Sequence, residues 1–295
     1  MTQNRPTIRM LLCGGLGNQL FQYAFARALA LRSKAHLELD AASLFAKDKV
    51  YQRNYELDAF TIPESVRVIR KRPAFSDLRR KWAERKSRGK SLETSQFVTE
   101  PQPFQFYPEY AEWRVTRDVL LLGYWQCEDY FKDAEEDIRR YLTFREPIHP
   151  QNVELAKQIE SCESVAVHIR RVQYKRAISI DYYQKGLLEM RQKLDKPQFF
   201  VFTDDPESYA KDGFEGDDIQ LIPTTGLPAI EDFKLMTHCR HFIIANSSFS
   251  WWAAWLGHQP ASSKVFAPIS SVWDNKSVVP GKWQATEAQI STIKA

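Results

Sequence analysis

Residues 165–267 alternate short apolar runs with stretches of helical character. The strand-like runs are 165–169, 199–202, 219–222, 242–245 and 265–267, and the helical ones are 181–194, 206–211, 229–239 and 249–256. Such alternation predicts a parallel sheet with right-handed crossovers, because parallel neighbours need a long connection between them. The chain opens on the same theme. A strand-like run, 7–12, leads into a glycine turn, Gly14-Gly15-Leu16-Gly17-Asn18-Gln19. An alanine- and leucine-rich helical stretch, 20–31, and a further strand, 35–39, follow. The expected fold class is therefore α/β, with two Rossmann-like domains and ligands outside the carboxyl ends of the strands. A length of 295 residues with 43% hydrophobic content can fill two cores. The domains are placed at 1–150 and 151–295, joined through the proline-bounded stretch 147–150.

Charge narrows the partners. A net charge of +4 suits an anionic substrate or a membrane surface. The positive charge is uneven, because Arg67, Arg70, Lys71, Arg72, Arg79, Arg80, Lys81, Arg85, Lys86, Arg88 and Lys90 crowd the basic insert 66–90. Leu78 and Trp82 stand four apart within it. A solvated helix is the plain reading, and peripheral contact with anionic lipid head groups is the functional one. No recognised nucleic-acid module accompanies the charge, so no nucleic-acid partner is expected. Cys13, Cys127, Cys162 and Cys239 are widely spaced, which predicts reduced thiols rather than disulfides or a zinc site. With no signal-like start and no long apolar window, the expectation is a cytoplasmic protein, with 66–90 as a peripheral contact at the inner face of the membrane.

Four clusters carry chemistry. The run Val165-Ala166-Val167-His168-Ile169 ends in Arg170 and Arg171. Strand alternation puts Val165, Val167 and Ile169 on one face and His168 and Arg170 on the other. Arginines at the end of a buried strand need a partner, and a guanidinium fork matches phosphate oxygens. Arg170 is the phosphate candidate, with Arg171 in support; a pair of structural ion pairs is the competing reading. Gly15, Gly17 and Asp40 resemble part of a dinucleotide fingerprint, but Leu20 occupies the place of its third glycine. Asn18 and Gln19 bring amides to the helix start, where they could hold hydroxyls; the alternative is Asn18 as a helix cap. Pro206 suits the first position of a helix and Asp205 its N-cap, which leaves Asp204 to face a ligand. These aspartates lack the spacing of a metal site. Asn246, Ser247 and Ser248 stand at the start of an aromatic helix, where N–H groups and the helix dipole favour an anion. Trp251 and Trp255 share a face and are read as core, and Gly257 as the C-cap.

Taken together these motifs resemble the GT11-type α-1,2-fucosyltransferases, in the bacterial form without a membrane anchor. The residues that carry the resemblance are 14–25, Gly123-Tyr124-Trp125-Gln126, Val167-His168-Ile169-Arg170-Arg171, Phe202-Thr203-Asp204-Asp205-Pro206 and 243–256, in that order along the chain. The resemblance implies a GT-B fold, two Rossmann-like domains facing a cleft. The first would take the acceptor and the second GDP-fucose. It implies inverting transfer of L-fucose to the 2-hydroxyl of a terminal galactose in an oligosaccharide or lipid-linked glycan, with no metal and no other cofactor. Arg170 would hold the β-phosphate of GDP and, with Asn18, act in catalysis. His168 and Asp204 would contact guanine, and Ser247 and Ser248 would line the diphosphate. Arg171, Asn246, Gly17 and Gln19 would complete the donor site. Fixed positive charge and helix N–H groups would stabilise the charge that grows on the leaving diphosphate.

The chain departs from the family after the arginines. The pattern continues Gly-Asp-Tyr, and here Val172 and Gln173 stand in place of the glycine and aspartate. Glutamine accepts no proton at neutral pH, so Asp181, Asp40 and Glu128 are put forward as the general base. The alternatives are a fucosyltransferase of another linkage (α-1,6 or protein O-linked) and a non-catalytic GDP-sugar-binding protein.

Overall fold

The computed structural model describes residues 5–72, 76–172, 176–209, 214, 216–257, 262–270 and 276–292. The chain divides into two compact units, Met1–Arg145 and Glu146–Ala295. Gln173, the departure noted above, lies outside the described residues.

The first unit runs β1 (Thr7–Leu11), α1 (Leu16–Ser33), β2 (His36–Asp40), β3 (Val66–Ile69), α2 (Ser76–Ser87), β4 (Phe97–Thr99), α3 (Pro108–Glu112), β5 (Val119–Leu122) and α4 (Glu135–Tyr141). Its sheet has the order β3-β2-β1-β5-β4, with every pairing parallel. The strand order reverses between β1 and β5, and ligands of open parallel sheets sit at such a reversal. Ile8 and Met10 of β1 are fully buried, while Thr7, Arg9 and Leu11 line a cavity of about 470 Å³ that Arg80 and Ala83 of α2 also line. α1 buries nearly its whole circumference, with Phe21, Tyr23, Ala24, Phe25, Ala26 and Ala28 at 0% exposure. A helix apolar all round belongs inside, which explains its poor amphipathicity.

Two expectations change here. The helix begins at Leu16, not Leu20, so Gly17, Asn18 and Gln19 form its first turn. Gly14, at φ +77°, makes the bend and Gly15 is the N-cap, which rules out Asn18 as the cap. Segment 66–90 is not an insert outside the fold. Its first residues are β3, an edge strand paired with β2, and α2 follows.

The second unit contains α5 (Val153–Glu160), β6 (Ser164–Ile169), β7 (Arg176–Ile178), α6 (Ile180–Lys193), β8 (Gln198–Thr203) and α7 (Pro206–Tyr209). It continues with β9 (Ile219–Leu221), α8 (Ala229–Thr237), β10 (His241–Ile243), α9 (Ser248–Leu256), β11 (Val265–Ile269), β12 (Gln284–Glu287) and β13 (Ile290–Thr292). The main sheet, β12-β11-β10-β6-β8-β9, is parallel throughout, and β13 pairs antiparallel with β7 apart from it. Every residue of the central strand β6 is buried. Val165, Val167 and Ile169 pack on Tyr182, Leu187 and Met190 of α6, as the alternation requires. Each such side chain contributes roughly 1.5–3 kcal/mol, enough to fix a strand that ends in two arginines. Trp251, Trp252 and Trp255 are fully buried, and Trp251 Nε1 donates to the Val278 carbonyl at 2.7 Å, so these indoles are core. Gly257 does end α9, but at φ −55° rather than in a left-handed cap. A Cβ there would lie 2.5 Å from Phe242 Cζ, so close packing explains the glycine.

Candidate active site

In the second unit, register brings the sequence candidates together. β6 pairs with β8 through Ile169 and Thr203, so the next residues, Arg170 and Asp204, leave adjacent strand ends side by side. Arg170 Nε stands 3.2 Å from Asp204 Oδ2, an ion pair without hydrogen-bond alignment. Asp204 Oδ1 accepts the Arg171 backbone N–H at 2.7 Å. Asp204 therefore orients both arginines rather than standing clear of them. β10 pairs with β6 through Ile243 and Val167, so Asn246 ends level with Arg170 on the other side. Asn246 and Ser247 are buried, Ser247 is the N-cap of α9 and Ser248 its first residue.

His168 projects away from the α6 face. Its ring lies 5.7 Å from that of Phe249, the second residue of α9, and Phe249 packs on Phe233 of α8. Burial, with the Arg170 charge adding to it, pushes its pKa down to about 3, so the imidazole is neutral at pH 7. Its Nδ1 is buried and has no hydrogen-bond partner among the described residues. Such an atom is available to a ligand group or a water. Tyr183, which sequence reasoning left unassigned, is buried with the charges of Arg171 and Asp204 nearby, and burial raises its hydroxyl pKa.

In the first unit, the loop ends at the β1/β5 reversal are tied by amides. Gln22 of α1 accepts the Cys13 N–H at 3.1 Å and donates to the Gly123 carbonyl at 3.0 Å. Gln126 donates to Asn18 Oδ1 at 2.7 Å. A Cβ on Gly14 would meet Asn18 Nδ2 at 2.5 Å, so that bend admits only glycine while Asn18 keeps its place. Glu100, just past β4, accepts the N–H groups of Tyr124 and Trp125 at 2.7 and 3.1 Å. These bonds support the left-handed backbone at Gly123 and Trp125. The amide of Gln19 is spent on the fold: it donates to the carbonyls of Gly14 and Asn54 and accepts the Glu56 N–H.

The carboxylates proposed as bases scatter. Asp40 accepts from Ala42 N, Ser43 N and Ser43 Oγ and shapes the turn after β2. Asp181 is exposed in the first turn of α6. Glu128 begins a short turn two residues after Gln126. Glu56 was missed, because nothing local marks it. Gln19 holds its backbone beside the glycine bend, burial raises its carboxyl pKa, and its Oε2 has no hydrogen-bond partner among the described residues. Among the described residues no group of three or more His, Cys, Asp or Glu side chains is placed to hold a metal ion.

Two parallel-sheet α/β units, each with polar groups at the carboxyl ends of its central strands, are the building blocks of a GT-B glycosyltransferase. Residues 111–268 match the model of glycosyl transferase family 11. The chain is 32% identical over 263 residues to an alpha-1,2-colitosyltransferase of Escherichia coli, across 83% of this chain and 86% of that one. The chain belongs to glycosyl transferase family 11. It is 23% identical over 268 residues to the human galactoside alpha-(1,2)-fucosyltransferase 1, covering 82% of this chain and 63% of the human one. Among solved structures it is similar to the fucosyltransferase NodZ from Bradyrhizobium. That match has a TM-score of 0.52 at 17% identity and covers 86% of this chain and 94% of NodZ.

Proposed function

We propose that this chain transfers L-fucose from GDP-fucose, with inversion and without a metal, to the 2-hydroxyl of a terminal galactose in a glycan. The observation that carries the reading is the junction of Arg170, Asp204 and the start of α9 at the carboxyl ends of β6, β8 and β10. Arg170, supported by Arg171, would neutralise the leaving diphosphate, and the N–H groups after Ser247 would receive its oxygens. Neutral His168 and Asp204 would face the guanine, with Asn246 beside them. In the first unit, Asn18 would hold the sugar, kept in place by Gly14 and Gln126; Gly17 and Gln19 shape its turn. The acceptor proton would go to Glu56. Its raised pKa suits a base, whereas Asp40 is engaged by three hydrogen bonds that shape the turn after β2.

A second reading concerns the donor. Colitose is fucose without its 3-hydroxyl, and the similarity to a colitosyltransferase supports GDP-colitose as an alternative donor for the same site. Both readings require GDP to bind at Arg170. Calorimetry should give GDP binding that persists in EDTA, and Arg170→Ala should lower turnover on the order of 100-fold. Undiminished turnover in that variant would remove the phosphate role.

A further inference from the structure

We propose that α2 is a docking surface for an anionic lipid bilayer. Segment 66–90 carries eleven lysines and arginines against Asp77 and Glu84, while the whole chain carries only +4. The rest of the chain is therefore net acidic, and the positive charge is concentrated in one segment, with five of its eleven cations on α2. A helix that needs only to stay solvated has no use for such segregation.

One side of α2 is tied to its unit. Ser87 Oγ accepts the N–H groups of Gln96 and Phe97 at 3.0 Å each, at the start of β4. Asp77 pairs with Lys47 and Arg72. Arg80 and Ala83 line the cavity over the sheet. The opposite side carries Leu78, Lys81, Trp82, Arg85 and Lys86, which share one helical face through spacings of three and four; Trp82 stands at its border and also lines that cavity. Leu78 is 62% and Trp82 57% exposed. Lys86 Nζ sits 4.3 Å over the Trp82 ring. Lys81, Arg85, Lys86, Arg88 and Lys90 are all exposed, and no ion pair reaches any of them among the described residues.

An aliphatic and an indole side chain flanked by cations fit the head-group boundary, where the ring and Leu78 enter the acyl edge and the cations meet lipid phosphates. A nucleic acid would match the charge but leave exposed Leu78 without a role. Two apolar side chains bury little, so the cations dominate, and attachment should be reversible and salt-sensitive. The surface rests on α2 alone and goes beyond the transferase reading. If that reading holds, docking delivers the enzyme to an acceptor carried on lipid.

The test is co-sedimentation of the whole protein with phosphatidylcholine vesicles, with and without phosphatidylglycerol. Binding is expected only with the anionic lipid and should be released by salt. Lys81→Gln/Arg85→Gln/Lys86→Gln should lower partitioning on the order of 100-fold, while turnover on a soluble galactoside stays unchanged. A second variant, Leu78→Ser/Trp82→Ser, keeps the charge and should bind more weakly, with a steeper salt dependence. Equal binding to neutral vesicles, no binding, or wild-type binding by both variants would overturn the proposal. Displacement from vesicles by a short duplex oligonucleotide at lower concentration than anionic lipid would assign the surface to nucleic acid and overturn it too. Vesicle binding by a protein that transfers no sugar would leave the docking surface standing while the transferase reading fell.

Discussion

His168 shows how a single residue couples stability to the site. Its folded pKa, about 3, lies below the value of about 6.5 it regains on unfolding. Between these limits the unfolded chain binds a proton that the folded chain refuses. The stability is therefore fully present above about pH 6.5 and is lost as pH falls toward 3, by at most about 1.4 kcal/mol per pH unit from this group. Burial shifts His241 in the same direction. Urea denaturation between neutral and mildly acidic pH should show this slope, and His168→Asn should flatten it. An unchanged slope would mean that His168 is not held neutral. Glu56 is tested by kinetics. Glu56→Gln should lower kcat by about 10²–10⁴ with little change in KM, the range of a lost general base. Glu128→Gln should leave kcat near wild type, and the reverse outcome would move the base to Glu128.

At the scale of elements, the strands of the second unit were legible because burial on both faces writes continuous apolar runs, as in 165–169 and 199–202. The edge strand β9 was read as 219–222, but the edge strands β3 and β12 were not legible. β3 lies among arginines, and β12 reads Gln284-Ala285-Thr286-Glu287, with no apolar run at all. The start of α1 was misjudged because two glycines at 14–15 and a third at 17 read as one turn, although only the first bends the chain. Gly257 was read correctly as a helix end and for the wrong reason. Its φ suits any residue, and the constraint is the Phe242 ring together with the Ala253 carbonyl, 2.5 and 2.9 Å from where a Cβ would lie. Gly257→Ala should cost about 1–3 kcal/mol through overpacking. Thermal unfolding should show part of that loss recovered in Gly257→Ala/Phe242→Leu, the remainder belonging to the Ala253 carbonyl. A neutral Gly257→Ala would remove the steric explanation.

Across the whole molecule, the polar cluster of the second unit was more legible than that of the first, and the reason is physical. Arg170 and Asp204 each directly follow a strand, so charge after an apolar run marks them, and Ser247 is marked by the small polar turn after the apolar run 242–245. The first unit assembles its edge from amides that bridge distant positions. Gln22 reaches Gly123 across 101 residues, and Gln126 reaches Asn18 across 108. No local pattern encodes such pairings. Membership of glycosyl transferase family 11 makes the proposed transfer open to a direct assay. The decisive measurement is incubation with GDP-fucose in EDTA against a panel of galactosides, with the product linkage read by NMR. The expected product carries α-linked fucose on the 2-hydroxyl of the terminal galactose, and its formation collapses in Arg170→Ala. Transfer to a different hydroxyl, or binding of GDP with no transfer to any galactoside, would contradict the account.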